Sequence, residues 1–236
     1  MSNERYMKGV KAMALKRGDK GFLDAIRTKL YVAVVSDVLD SLGHTNQAMA
    51  AGIRPLDDSL VLAGYARTGL YQDIYHIAKG ENPYELEIAL IDDLSADDVP
   101  VFACGASGRI APWGELLSTA SRARGAAGCV TDGLTRDIRA IREMRFPVFH
   151  GGIGPLDSKG RGKASQIDVP IECGGVRIEP GDLVFGDADG VVVIPAALEQ
   201  QVLASAFEKV SGENKTRQDL ANGVKLREVF ERYGVL

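Results

Sequence analysis

Apolar positions along the chain fall into short runs whose spacing alternates between helical and extended. Phe22, Leu23, Ile26 and Leu30 follow the three-and-four spacing of one helical face. Ser36-Asp37 reads as a helix start, because a short polar side chain there can accept an orphan amide. Val38, Leu39 and Leu42 lie inside that helix, and Gly43 stops it. Residues 60–70 read as a strand in which Gly64 allows a close backbone approach. A helix is predicted over 83–90, a strand over 99–103, a loop over 105–108 and a helix over 114–125. Residues 128–131 form a strand that ends in a turn at Asp132-Gly133, followed by a helix over 135–144 and a short strand over 147–149. Residues 156–165 are polar and read as a mobile loop. Short strands fill 166–195, where Asp187-Ala188-Asp189-Gly190 is the strongest hairpin signal. Leu198, Val202, Phe207 and Val210 mark an amphipathic helix over 196–211. Helix then continues over 213–233, with a break near Asn222-Gly223.

The pattern defines a mixed α/β protein, with strand–helix units in the middle and a β-rich block before a helical tail. The unit over 128–149 predicts a parallel pair with a right-handed crossover. In such sheets sites lie beyond the carboxyl ends of strands, which is where Arg136-Asp137 falls. The first 20 residues are basic and weakly patterned and read as an N-terminal extension. Residues 21–236 read as one domain, with no internal repeat and no linker-like stretch.

Composition narrows the function classes. A chain of 236 residues is long enough for a real core. The formal charge of −4, without a basic tract, gives nucleic-acid binding no electrostatic support. Cys104, Cys129 and Cys173 are scattered and odd in number, which suits buried thiols in a reducing compartment. No apolar run approaches a membrane span, and Met1-Ser2-Asn3-Glu4-Arg5 lacks a signal-peptide core. A cytoplasmic protein without membrane partners is expected.

The candidate chemistry centres on Arg136-Asp137. Arginine grips a carboxylate through two parallel hydrogen bonds, and aspartate is the hard oxygen ligand that Mg²⁺ prefers. A surface ion pair at a helix start is the simpler alternative. Gly114-Glu115-Leu116-Leu117-Ser118 opens the preceding helix, and the exposed amides of a first turn bind anions. Glu115 suits either a metal's outer shell or a favourable first-turn acid. A helix start and the following strand-to-helix turn can share one sheet edge, which would bring 114–117 near 136–137. His44, His76 and His150 are candidate bases, although histidine has many structural roles. Arg109 and Arg161 could bind a second carboxylate or simply be solvated. Asp187 and Asp189 lack the remaining oxygen ligands of a calcium loop, and Gly151-Gly152-Ile153-Gly154 is followed by no unit that would make it a dinucleotide fingerprint.

The run from Gly114 to Asp137 resembles the signature of the ribonuclease-regulator-A-like (RraA-like) family. That family includes class II 4-hydroxy-4-methyl-2-oxoglutarate and 4-carboxy-4-hydroxy-2-oxoadipate aldolases. Further resemblances lie in Ser36 to Gly43, Gly64-Tyr65-Ala66-Arg67-Thr68, Pro147-Val148-Phe149 and Gly186 to Pro195. The resemblance implies a layered β/β/α sandwich of the swivelling phosphohistidine-domain type, assembled as a trimer or a hexamer. It implies Mg²⁺ or Mn²⁺ on Asp137 and no organic cofactor. It also implies a substrate-carboxylate clamp at Arg136 and anion contacts from Gly114, Glu115, Leu116 and Leu117. Glu115 matches an acidic position that helps hold water on the metal. Glu213 matches, more loosely, an acidic residue that a neighbouring subunit supplies through water.

The implied chemistry is coherent. A 2-keto acid chelated to a metal is an electron sink for the enolate left when a neighbouring C–C bond breaks. Cleavage of a 4-hydroxy-2-keto acid and decarboxylation of oxaloacetate both yield pyruvate enolate. The hydroxyl proton leaves through water that Asp132 and Glu115 would tune. No lysine lies in the matched motifs, so a Schiff base is not expected. The leading expectation is a metal-dependent pyruvate aldolase with oxaloacetate decarboxylase activity. The alternative is a non-enzymatic, protein-binding regulator of RNA degradation that acts through an acidic ring surface. Methyl transfer to a quinone has no support, because no glycine-rich loop suits a methyl-donor nucleotide.

Overall fold

The apolar runs in the middle of the chain become neighbouring strands of one sheet. The computed structural model describes residues 16–234. Two helices come first, α1 (Phe22–Lys29) and α2 (Val32–Ser41), then β1 (Arg54–Pro55) and the long β2 (Leu62–Asp73). Helices and strands then alternate: α3 (Glu85–Asp92), β3 (Asp98–Ala103), α4 (Glu115–Ala123), β4 (Cys129–Thr135), α5 (Ile138–Met144) and β5 (Val148–Ile153). Next come β6 (Gly162–Ile167), the small hairpin β7 (Ile171–Cys173) and β8 (Val176–Ile178), and a second hairpin, β9 (Leu183–Asp187) and β10 (Gly190–Ile194). Two helices follow, α6 (Glu199–Ala221) and α7 (Leu226–Tyr233).

The sheet runs β1-β5-β4-β3-β2-β9-β10, with β6 also on β2. Strands β2, β3, β4 and β5 are parallel, as α/β crossovers require, and the others join antiparallel. Length lets β2 serve two partners: its first half pairs with β9 and its second with β6. Residues 47–55 then bring the two ends of the sheet together. Met49 donates to Val191 O and Val193 to Gln47 O, both at 2.9 Å, and Arg54 on β1 donates to Asp189 O at 2.9 Å. The result is a nearly closed, barrel-like sheet.

Side chains alternate across it with the strand period of two. Leu62, Val184, Val191 and Val193 turn inward onto Val99, Val101, Val130 and the β7–β8 hairpin. Ala63, Phe185, Val192 and Ile194 turn outward beneath α1, α2 and α6. A third cluster, with Leu90, Phe102, Trp113, Ile141 and Phe146, packs α3, α4 and α5 onto the other outer stretch.

Four local expectations change. Helix α2 starts at Val32 and not at Ser36, because its cap comes from elsewhere in the chain: Val32 N donates to Asp187 Oδ2 at 2.8 Å. Strand β4 continues through Asp132-Gly133 as an irregularity in the pairing with β5, with Gly133 N donating to Thr131 Oγ1 at 3.0 Å. Residues 156–165 are no free loop, since Ser158 is buried, Asp157 accepts from Tyr84 and β6 begins at Gly162. The helix predicted from 196 starts at Glu199, after a turn in which Leu198 N donates to Pro195 O at 2.8 Å, and it then runs to the expected break after Ala221. The expected extension over 1–20 lies outside the described residues except for 16–20.

Candidate active site

Strand β4 delivers Arg136 and Asp137 to the edge where α4 begins. Trp113 and Thr135 form a parallel bridge, and Arg136 N donates to Trp113 O at 3.0 Å, so 113–114 lies alongside 135–136. Trp113 is anchored in the core, where its indole donates to Ser118 Oγ at 2.8 Å and Ser118 donates to Gly114 O at 2.9 Å. This geometry brings the two motifs together. Glu115 N donates to Asp137 Oδ2 at 3.2 Å, and Arg136 Nε lies 3.6 Å from the same oxygen.

Gly114 makes this approach possible. A Cβ there would stand 2.7 Å from Asp137 Oδ2 and 3.2 Å from Arg136 Cγ, and the first contact is too short to accept without movement. Asp137 itself holds a left-handed backbone, φ 59° and ψ 30°, which aspartate tolerates better than most residues.

A cleft of about 290 Å³ opens beside this pair. Its walls are Trp113, Gly114, Leu116 and Leu117 from the start of α4, Tyr84, Glu87 and Ile88 from the α3 region, and Asp157 and Ser158 from the loop before β6. Arg136 reaches across it, donating to Leu156 O at 3.3 Å and lying 3.8 Å from Asp157 Oδ1. Burial works to raise the Asp157 carboxyl. The Tyr84 hydroxyl, the amides of Lys159 and Ser158, and Arg136 outweigh it and hold the group below the usual carboxylate range.

Of the residues expected from sequence, Gly114, Leu116, Leu117, Arg136 and Asp137 line the cleft. Glu115 supplies its amide, while its carboxylate accepts from Thr119 at 2.7 Å on the helix surface. Asp132 does not line the cleft. It is buried, and it accepts Cys104 N at 2.5 Å and Ala106 N at 3.3 Å, which pins the loop after β3. Glu213 sits on α6, bonded to the Tyr31 hydroxyl and to Arg217 of the same chain. His44 and His76 are exposed; His150 is buried, with Nδ1 unpartnered, and burial then Arg142 lower its pKa. None of the three lines the cleft. Arg109 pairs with Asp73, and Arg161 donates to Asp157 O at 3.2 Å. Asp187 and Asp189 form the hairpin turn. Tyr84, Glu87 and Asp157 are cleft residues that the sequence did not single out. Glu87 resembled any acid in a helix's first turn, and Asp157 fell in an apparently free loop.

The donor set bears on a metal. Among the described residues no three His, Cys, Asp or Glu side chains converge on one point. A cation held wholly by side chains of one chain, as structural zinc is, does not fit. Mg²⁺ keeps several waters and uses one or two carboxylates plus the substrate's oxygens, and Asp137 facing an open cleft fits that habit.

Comparison with known proteins agrees with the geometry. The family model described as Aldolase/RraA matches residues 32–193. A protein of Halalkalibacterium halodurans, which carries the provisional name 4-hydroxy-4-methyl-2-oxoglutarate aldolase, is 35% identical over 89% of this chain and 93% of its own. The solved structure of an uncharacterised Pseudomonas syringae protein superposes with a TM-score of 0.77 at 26% identity, covering 91% of this chain and 99% of that one. The Streptomyces coelicolor protein RraAS2, described as an unusual member of the RNase ES inhibitor RraA family, superposes with a TM-score of 0.74 at 28% identity, over 86% and 98%. The chain therefore belongs to the RraA-like family.

Proposed function

We propose that this chain is a divalent-metal-dependent lyase. It would cleave a C–C bond of a 4-hydroxy-2-keto dicarboxylic or tricarboxylic acid to release pyruvate, and would also decarboxylate oxaloacetate. One observation carries the reading: Arg136, Asp137 and the amide end of α4, brought close together by the missing side chain of Gly114, converge on one cleft. The aldolase name of the Halalkalibacterium relative supports the same reaction class.

Bound beside Asp137, Mg²⁺ or Mn²⁺ would supply the Lewis acidity that stabilises the enolate of a 2-keto acid. The chain's residues do the rest. Arg136 would offer a guanidinium fork to the substrate's carboxylate. The first-turn amides of α4 add partial positive charge on the same side. Trp113 and Pro112 add apolar surface to the cleft wall. The same proposal includes assembly of a homo-oligomer, trimer or hexamer, which the exposed Ile88 and Leu116 at the cleft mouth support. It also includes the layered β/β/α sandwich of the swivelling phosphohistidine-domain type as the class of this near-closed α/β sheet.

The RNase-inhibitor description of RraAS2 favours a second reading, a regulator that binds a ribonuclease. Pyruvate release from 4-hydroxy-4-methyl-2-oxoglutarate and from oxaloacetate, with Mg²⁺ and then with EDTA, separates the two. The lyase is expected to release pyruvate from both and to lose that activity with chelator. No release from either substrate would favour the regulator.

A further inference from the structure

We propose that Glu87 carries the proton between the hydroxyl of the 4-hydroxy-2-keto acid and carbon 3 of the departing three-carbon fragment, a role that rests on the lyase reading above. Glu87 lines the same cleft as Arg136 and Asp137. It is nevertheless 7% exposed, an unusual place for a carboxyl group, which loses hydration there that few partners replace. Its Oε2 accepts from the hydroxyl of Tyr71, itself buried edge-on against Phe102. The carboxyl is thus fixed by Tyr71 on a residue that lines the cleft.

The surroundings suit transfer in both directions. Burial pushes Glu87 up to about 7; the Tyr71 hydroxyl works against this, Asp157 adds to it and Arg136 opposes it. The other neighbours keep their protons or stay ionised. Tyr71 and Cys104 are raised by burial, Tyr84 is raised to about 12 by burial and then Asp157, and Asp157 is held low. A group that titrates near the working pH is the efficient acid–base catalyst.

The step balances. Carboxylate Glu87 takes the proton of the C4 hydroxyl as the C3–C4 bond breaks. C4 becomes a carbonyl, and the bonding pair moves into the pyruvate enolate. Glu87, now neutral, gives the same proton to carbon 3, forming the methyl group of pyruvate. Oxaloacetate has no hydroxyl proton to lose: CO₂ leaves, the pair stays on carbon 3, and water can protonate it afterwards. Glu87 is therefore needed for the hydroxy acid far more than for oxaloacetate.

Glu87→Gln and Tyr71→Phe test this in the Mg²⁺-loaded full chain. Glu87→Gln is expected to slow pyruvate release from 4-hydroxy-4-methyl-2-oxoglutarate about 100-fold or more, and release from oxaloacetate only about threefold. In the wild type, kcat/KM for the hydroxy acid should rise with pH through about 7, because the carboxylate is the form that accepts. Tyr71→Phe removes a hydrogen bond that favours the carboxylate, so that limb should move to higher pH. This second variant keeps the test decisive if Glu87→Gln fails to fold. Equal losses on both substrates, or an unmoved limb in Tyr71→Phe, would overturn the proposal. Wild-type release with an unaffected Glu87→Gln would overturn it alone; silence of the wild type on both substrates would overturn the lyase reading as well.

Discussion

Two aspartates at strand ends each accept an amide from the first turn of a helix, and one of them, Asp137, also lines the candidate cleft. Asp187 accepts Val32 N at 2.8 Å on Oδ2 and Asp189 N at 2.9 Å on Oδ1. Asp137 accepts Glu115 N at 3.2 Å on Oδ2. Its Oδ1 takes no hydrogen bond among the described residues. Each carboxylate oxygen of Asp187 already accepts an amide in holding α2 to the β9–β10 turn, whereas one whole oxygen of Asp137 is left to other partners. Capping chemistry is the same in both places. Gly114, Arg136 and the cleft make the second the candidate site.

The comparison can be broken most directly at Asp137. Asp137→Asn keeps the shape and tolerates the left-handed backbone, so the melting temperature should barely move while pyruvate release falls to background. Wild-type-like turnover in that variant would return Asp137 to a purely capping role. Gly114→Ala comes next. Its methyl must displace Asp137 or Arg136, and a shift near 1 Å can cost about 100-fold in kcat/KM. Full activity in Gly114→Ala would show that the tight approach is dispensable. Arg136→Ala should weaken keto-acid binding by about 1.5–3 kcal/mol, the worth of a charged hydrogen bond, which pyruvate titration by calorimetry would read. Asp187→Ala sharpens the other half: it should cost about 0.5–2 kcal/mol of stability through the lost cap and leave turnover unchanged. A loss of turnover there as deep as in Asp137→Asn would abolish the distinction.

Much of the fold was legible because apolar runs and turn residues act locally. The β9–β10 hairpin follows from Asp187-Ala188-Asp189-Gly190, and β3 from the apolar run over 99–103. The start of α2 was not legible, since its capping carboxylate lies 155 residues away. The passage of β4 through Asp132-Gly133 was hidden by a dipeptide that signals a turn in isolation. Pairing with β5 overrides that signal. The adjacency of 114–117 and 136–137 was readable from the order of strand and helix. Glu87 was not readable. Nothing in Glu85-Leu86-Glu87 tells which acid will be buried, and only the packing of α3 over Tyr71 decides it.

The left-handed backbone at Asp137 sets stability against use. An L-residue there costs roughly 1–2 kcal/mol relative to a right-handed turn, less for aspartate and nothing for glycine. On backbone conformation alone glycine would be preferred at 137, a gain offset in part by the lost bond from Glu115 N. A duplicate of this chain released from selection for turnover would gain by drifting to glycine there, and so become a sturdier scaffold for other duties. On the proposed lyase reading, position 137 is an evolutionary marker: descendants kept for chemistry would retain aspartate, and those kept for their shape would be free to carry glycine.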